Sequence, residues 1–579
     1  MSMAHDYAIP NGLSEASESL KAVLLDMGVK PGHVRVSVQR SEMTGEPLPK
    51  IMRDFGFLSG EQVAEALARL TGFEYLPAEY VEQMSREDIQ GIHLDDFRRY
   101  VPIGRTDDGE LVVAVPDESA INDARNEFFK ERVRIVIASE HTIQTVFRKY
   151  FANSEKAFDA SVDKFMRVVM ASRRSDEDTE GAGLVREVFG ALLRHACYSG
   201  ASDLYLYKSE DVGIVRLKIN GVGQIFRSID PTLFNRILNK LVTENTKSED
   251  LRREPKESVV EFSDEDKRRY EDITSRFGFR LELAETRGER TAVIRILDKQ
   301  STATELSRLG FDDYTYKALR RISNTSTGLF LVTGPTGSGK TTTLYAALKN
   351  IDPVERSIQS IEDPVEYKHG LWQQYELRKD ATDKAQEYNK WLKALLRNAP
   401  DVILVGEVRD GEVAQILMDA ANTGHLAFAT LHTNNAPMAL ARLKRLGVDM
   451  PTLASVLLGI LAQRLVRVLC PHCKVKDPSK DTLAELDTPW LEGNKHNPYK
   501  AGGGCPHCDF SGYKGRRMLY EVHELNAEVQ RLIEEDAPPS VIAKAGIPAG
   551  RTMWGCGLKL VSAGVTSLEE VERVAKRDA

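Results

Sequence analysis

Residues 334–342 read GPTGSGKTT, and the fold turns on how this stretch is placed. Gly334, four intervening residues (Pro335, Thr336, Gly337, Ser338), then Gly339, Lys340 and Thr341 match the pattern G-x-x-x-x-G-K-[ST]. Glycines at this spacing let backbone N–H groups turn toward the phosphates of a nucleotide. Lys340 has the reach for the β and γ oxygens, and Thr341 has a hydroxyl that can hold Mg²⁺. The apolar run 329–332 leads in as a strand, and 342–349, starting at Thr342, leads out as a helix. The loop therefore opens a helix N-terminus, where anions are favoured.

Three further motifs follow at strand ends, where an open α/β sheet collects its ligands. SIEDPVEY (360–367) is an apolar strand ending in Glu362, Asp363 and Glu366, carboxylates suited to positioning Mg²⁺ or an attacking water. DVILVGEVRD (401–410) carries Glu407 to the sheet edge, with Gly406 allowing close backbone approach. TGHLAFATLHTNNA (423–436) offers His425 and His432, which can sense a γ-phosphate. Any one of these could be a solvated turn or a core histidine. Their order after a phosphate loop is what gives them weight.

Composition bounds the rest. At 579 residues the chain spans several domains. Its 78 basic and 86 acidic residues give a net charge of −8, so no global cationic field points to nucleic acid. No apolar run reaches the roughly 18–20 residues needed to cross a bilayer, and the N-terminus lacks a basic-then-apolar leader, so a cytosolic protein is expected. The six cysteines include Cys470, Cys473, Cys505 and Cys508, two C-x-x-C pairs that suit a tetrahedral Cys₄ zinc site. His472 and His507 inside the pairs leave a mixed Cys/His set open, as well as a redox pair. Cys197 and Cys556 read as packing residues.

Taken together, GPTGSGKTT, SIEDPVEY, DVILVGEVRD and TGHLAFATLHTN resemble the Walker A, Asp box, Walker B and His box of the secretion-ATPase superfamily, the motors of type II secretion, type IV pili and competence systems. The run 552–575 is similar to that family's closing helices, and GYKGR (512–516) to the end of its zinc module. The resemblance implies an α/β fold: a RecA-like P-loop motor domain with a small zinc module, preceded by an α+β PAS-like domain and an N-terminal docking domain. The expected boundaries are a flexible tail (1–20), docking domain (21–155), linker (156–183), α+β middle domain (184–305), ATPase core (306–469), tetracysteine module (470–520) and C-terminal helices (521–579).

It further implies a homo-hexameric ATPase using ATP, Mg²⁺ and Zn²⁺, attached peripherally to the inner membrane through a platform protein. The zinc module and long N-terminal region favour assembly of a pilus or pseudopilus over retraction. Arg216, Arg280 and Arg295 are the expected arginine fingers. Lys218 stands where the family has a second arginine of the R-x-R-x-D-G turn, and its LPQDG-like turn is barely recognisable at 253–258. Residues 47–72 are similar to a repeat that binds cyclic-di-GMP in some assembly ATPases, but Pro49-Lys50 replaces its start, so protein docking is the expected role. The rival readings are a zinc-ribbon nucleic-acid translocase or helicase, a pilus retraction motor and a non-hydrolysing nucleotide-gated scaffold.

Overall fold

The structure, a computed structural model, describes residues 13–577 apart from 86, 93, 95–97, 173–178, 246–255, 261, 287–288, 299–304, 378–383, 493–494, 509 and 549. It comprises two units, residues 1–300 and 301–579.

The first unit begins with helices Leu13–Asp26, Pro31–Thr44, Leu48–Asp54 and Gly60–Thr71 around Leu20, Leu24, Met52 and Leu58. The fourth helix starts at a capping box formed by Ser59 and Gln62. Ser59 Oγ accepts the Gln62 N–H at 3.2 Å and Gln62 Oε1 accepts the Ser59 N–H at 2.9 Å, a reciprocal cap. Strands β1 (Glu74–Tyr75), β2 (Val101–Arg105), β3 (Leu111–Val115) and β4 (Val133–Ile137) follow, in the order β1-β4-β3-β2. The expected tail is shorter than 1–20, since Leu20 and Leu24 are core residues of the first helix; residues 1–12 lie outside the described residues.

The span 156–183 is not an extended linker. Helix Ser154–Ser172 covers most of it, with Phe158 and Phe165 buried against Val188 and Leu192 of helix Thr179–Tyr198. Two phenylalanines seven residues apart fall on one helix face, and burying them outweighs the charged run that follows. The two helices cover one face of a six-stranded antiparallel sheet: β5 (Ala201–Ser209), β6 (Val212–Ile219), β7 (Val222–Ile229), β8 (Lys256–Val259), β9 (Phe277–Thr286) and β10 (Glu289–Asp298), ordered β7-β6-β5-β10-β9-β8. Leu204, Val215, Leu217, Leu281 and Ile294 point into this core, and Arg216, Lys218, Arg280, Glu282 and Arg295 alternate with them, the pattern of a sheet with one covered face. Of the turn sought at 253–258, residues 253–255 lie outside the described residues and the rest opens β8.

The second unit is built on β11 (Gly328–Thr333), β12 (Ile358–Glu362), β13 (Gln373–Glu376), β14 (Val402–Val405), β15 (Leu426–Leu431), β16 (Leu457–Leu469), β17 (Val475–Lys476), β18 (Tyr499–Lys500) and β19 (Tyr513–Glu524). Seven form one sheet, β13-β12-β14-β15-β11-β16-β19, parallel except for β19. Every residue of β11, β14 and β15 is buried, which is why these strands read as continuous apolar runs rather than alternations. The tetracysteine segment is an excursion between β16 and β19. The expected break at 520 therefore falls inside β19, which returns to the main sheet as its edge.

Candidate functional site

Five parallel strands, β11, β12, β13, β14 and β15, aim their C-terminal ends at the same edge, and β11 runs into the phosphate loop there. Pro335, Thr336 and Gly337 are exposed at the loop crest, Ser338 and Lys340 are buried, and Thr341 and Thr342 are half-buried at the start of helix Lys340–Leu348. Gly334 has no room for a side chain, because a Cβ there would stand 2.4 Å from the Gln463 carbonyl oxygen. Lys340 Nζ donates to the carbonyls of Gly334 (2.8 Å) and Pro335 (3.2 Å). Burial pulls its pKa down, and the carboxylates of Glu407 and Glu366 pull it back up.

Glu407 leaves the end of β14 beside this lysine. Its Oε2 accepts from Arg409 Nε at 2.9 Å, and His432 Nε2 stands 3.4 Å from its Oε1. Arg409 also reaches Asp363 Oδ2 at 3.4 Å, so one guanidinium ties the Asp box to the Walker B strand. The next residue, Asp410, caps helix Gly411–Asn422: its Oδ1 accepts the Val413 N–H at 2.9 Å. Burial and the positive charge of Lys340 lower the His432 pKa, against the pull of Glu407, so the neutral imidazole is favoured there. The loop carrying His432 is held to β11, since Thr333 Oγ1 lies 2.7 Å from Thr433 Oγ1 and accepts the Thr433 N–H at 3.0 Å.

The structure thus gathers Lys340, Glu407, Asp363 and His432, with Glu366 acting on Lys340, and leaves two of the expected residues elsewhere. Glu362 is buried, and its carboxylate is occupied by Ser360 Oγ (2.6 Å) and the Tyr345 hydroxyl (2.8 and 2.9 Å to its two oxygens). Burial raises its pKa to about 7 against these bonds. It braces the helix after the phosphate loop through Tyr345. His425 precedes β15 while His432 follows it; seven residues of extended chain put the two roughly 20 Å apart. His425 Nδ1 lies instead 2.9 Å from the Ala420 carbonyl oxygen, at the opposite edge of the sheet.

Arg216, Arg280 and Arg295 belong to the first unit, where pairing across β9, β10, β5 and β6 sets them on one face of the sheet. Arg295 Nε donates to the buried Asp203 at 3.1 Å, and the Arg216 guanidinium lies over the Tyr205 ring.

The four cysteines meet in the excursion between β16 and β19. Their Sγ atoms all lie within 4.8 Å of one another. Cys470–Cys505 and Cys473–Cys508 are separated by 3.7 Å, and Cys505–Cys508 by 3.8 Å. A regular tetrahedron with metal–sulfur bonds of about 2.3 Å has edges of about 3.8 Å, so the donor set fits a zinc-sized ion. These separations are far beyond a disulfide bond of about 2.05 Å. His472 and His507 stack on each other with centroids 3.9 Å apart, which takes them out of a mixed ligand set.

Two residues near the loop are given no role by the sequence, although Arg409 lies inside the run 401–410. Arg409 is visible there only as one charge in a polar turn. Gln463, 1% exposed in the middle of β16, donates from Nε2 to the Ser338 carbonyl at 2.7 Å; its only signal is an amide inside an apolar run.

A phosphate loop between the central strands of a parallel sheet, faced by a carboxylate from a neighbouring strand end, defines a P-loop nucleotide-binding protein. The chain belongs to the family described as Type II/IV secretion system protein, whose model matches residues 178–573. It is 43% identical over 293 residues to the Type II secretion system protein E of Pectobacterium carotovorum, a match covering 50% of this chain and 57% of that one. It is 36% identical over 412 residues to the Type II secretion system ATPase E of Vibrio cholerae (69% and 77% covered). To the Type IV pilus assembly ATPase TfpB of Acinetobacter baylyi it is 33% identical over 467 residues (77% and 76%). Among the described residues, no helix is long and apolar enough to cross a membrane.

Proposed function

We propose that this chain is a Mg²⁺-dependent ATPase that acts as a homo-hexamer at the cytoplasmic face of an inner membrane. Its ATP hydrolysis drives assembly of a type IV pilus or a type II secretion pseudopilus. The observation that carries this reading is the convergence of Lys340, Glu407 and His432 beside the phosphate loop, in a chain whose relatives are named as ATPases of these two systems.

In this reading the loop's N–H groups and Lys340 hold the ATP phosphates, and Thr341 is the Mg²⁺ ligand. Mg²⁺, when bound, would supply charge neutralisation to the phosphates. Glu407, oriented by Arg409, aligns the attacking water, and Asp363 and Glu366 add negative charge beside Lys340. His432 registers loss of the γ-phosphate and passes it to β11 through the Thr433–Thr333 contact. Arg216, Arg280 or Arg295 serves as the arginine finger. Cys470, Cys473, Cys505 and Cys508 hold zinc as a structural site. The N-terminal domain docks on a membrane platform protein, which makes membrane association peripheral. The four-cysteine module favours assembly over retraction, and the net charge of −8 disfavours a nucleic-acid substrate.

Phosphate release from ATP by the purified chain tests this. Turnover that is abolished by EDTA and indifferent to added DNA is expected. Turnover requiring single-stranded DNA would support the translocase instead.

A further inference from the structure

Gln463 is a buried amide among apolar neighbours of β16: Ile460, Leu461, Ala462 and Val466 are all buried, while Arg464 and Arg467 are half-buried. β11 and β16 run parallel with Thr333 opposite Ala462, so one step further sets Gly334 beside Gln463. Three contacts result. The Gln463 amide donates to the Ser338 carbonyl at 2.7 Å. Its backbone oxygen fills the space where a Cβ of Gly334 would stand, 2.4 Å away, and its Nε2 lies 3.2 Å from where a Cβ of Gly339 would stand. The loop is moulded onto this one residue at both of its signature glycines.

The carboxamide is a poor choice for stability. Its Oε1 is buried with no hydrogen-bond partner, as is the neighbouring Ser338 Oγ, and an unpaired buried acceptor is destabilising. An apolar side chain of the same length would fill the site without that cost. What an apolar side chain cannot do is hold the Ser338 carbonyl. In a trans peptide the C=O and the following N–H point in opposite directions. Drawing the Ser338 oxygen toward β16 therefore turns the Gly339 N–H away from β16.

We propose that Gln463 is a positioning residue for the nucleotide: by anchoring the Ser338 carbonyl it aims the Gly339 N–H as a phosphate donor. This rests on the reading of 334–342 as the nucleotide site.

Gln463→Met keeps the length and removes both the donor and the orphan acceptor. Binding of a fluorescent ADP analogue to the full chain, together with the unfolding temperature of the nucleotide-free protein, tests the role. The expected result is binding about tenfold weaker, the loss of one hydrogen bond to a charged group, with an unfolding temperature close to the wild-type value, because removing the orphan Oε1 offsets leaving the Ser338 carbonyl without its donor. Gln463→Glu, which turns an acceptor toward the Ser338 carbonyl, should bind more weakly still. Wild-type protein that fails to bind the analogue overturns the nucleotide site itself. Wild-type binding with Gln463→Met within twofold of it overturns the positioning role alone. Weaker binding accompanied by a lowered nucleotide-free unfolding temperature overturns it too, since that is a packing defect.

Discussion

Glu362→Gln is the substitution whose consequence is most closely bounded by the structure. The carboxyl is buried against β12, held by Ser360 and Tyr345, and burial raises it from 4.5 to about 7. Between those two values the folded protein keeps a proton that the unfolded chain has released. Stability therefore falls as pH rises through the window, and is unaffected by this group below it. From about pH 5 to about pH 8 the loss attributable to this single group is roughly 2 to 3 kcal/mol, at 1.36 kcal/mol per pKa unit. Glutamine keeps the shape and accepts the Tyr345 hydroxyl, but it has no proton to lose. The assay is urea unfolding followed by fluorescence, on wild type and Glu362→Gln at both pH values. All other ionisable groups cancel in the difference between the two proteins. The variant should gain on the wild type by that amount at the higher pH. A difference that stays constant with pH would show that Glu362 is ionised or exposed, and would return it to the ligand-facing carboxylates.

Four other substitutions separate roles that the geometry distinguishes. Arg409→Ala frees Glu407 and Asp363 from their shared guanidinium; the maximal ATPase rate should drop about tenfold or more while nucleotide affinity changes little, because orientation is lost and the loop is untouched. Cys473→Ser removes one corner of the sulfur tetrahedron, and metal analysis should fall from about one zinc per chain to well below half, since a structural zinc site needs all four ligands. Arg295→Ala should cost about 1 kcal/mol, because the buried Asp203 loses its guanidinium donor but keeps the Ser202 hydroxyl at 2.9 Å and Lys218 Nζ at 3.9 Å. Arg216→Ala, which loses the packing of its guanidinium over Tyr205 and Gly223 but no buried ion pair, should stay within about 0.5 kcal/mol in the same unfolding assay.

The core of the second unit is legible in the sequence because it is locally over-determined. Strands buried on both faces leave unbroken apolar runs, and the glycines at 334 and 339 mark a backbone that side chains would block. The cysteines are legible for the same reason, since their spacing is the geometry. What escapes is what depends on distance across the fold. His425 and His432 sit in one motif, but a six-residue strand between them sends them to opposite edges. Glu362 reads as one more acid at a strand end, and only the Tyr345 hydroxyl from the neighbouring helix shows that it points inward. β16 carries an apolar pattern that suits helix as well as strand, so Gln463 cannot be aimed at the phosphate loop without the β11–β16 register. The helix Ser154–Ser172 is hidden by the charged run behind it, although Phe158 and Phe165 already mark one face.

The central claim is that ATP is hydrolysed at this strand-end cluster with Glu407 aligning the water. Glu407→Gln keeps size and one hydrogen-bond acceptor but loses the charge that orients and activates water, while Lys340 and the loop are untouched. Steady-state phosphate release should fall at least about a hundredfold with ATP binding preserved, a loss of roughly 3 kcal/mol or more of transition-state stabilisation. Turnover near the wild-type rate in that variant would contradict the account.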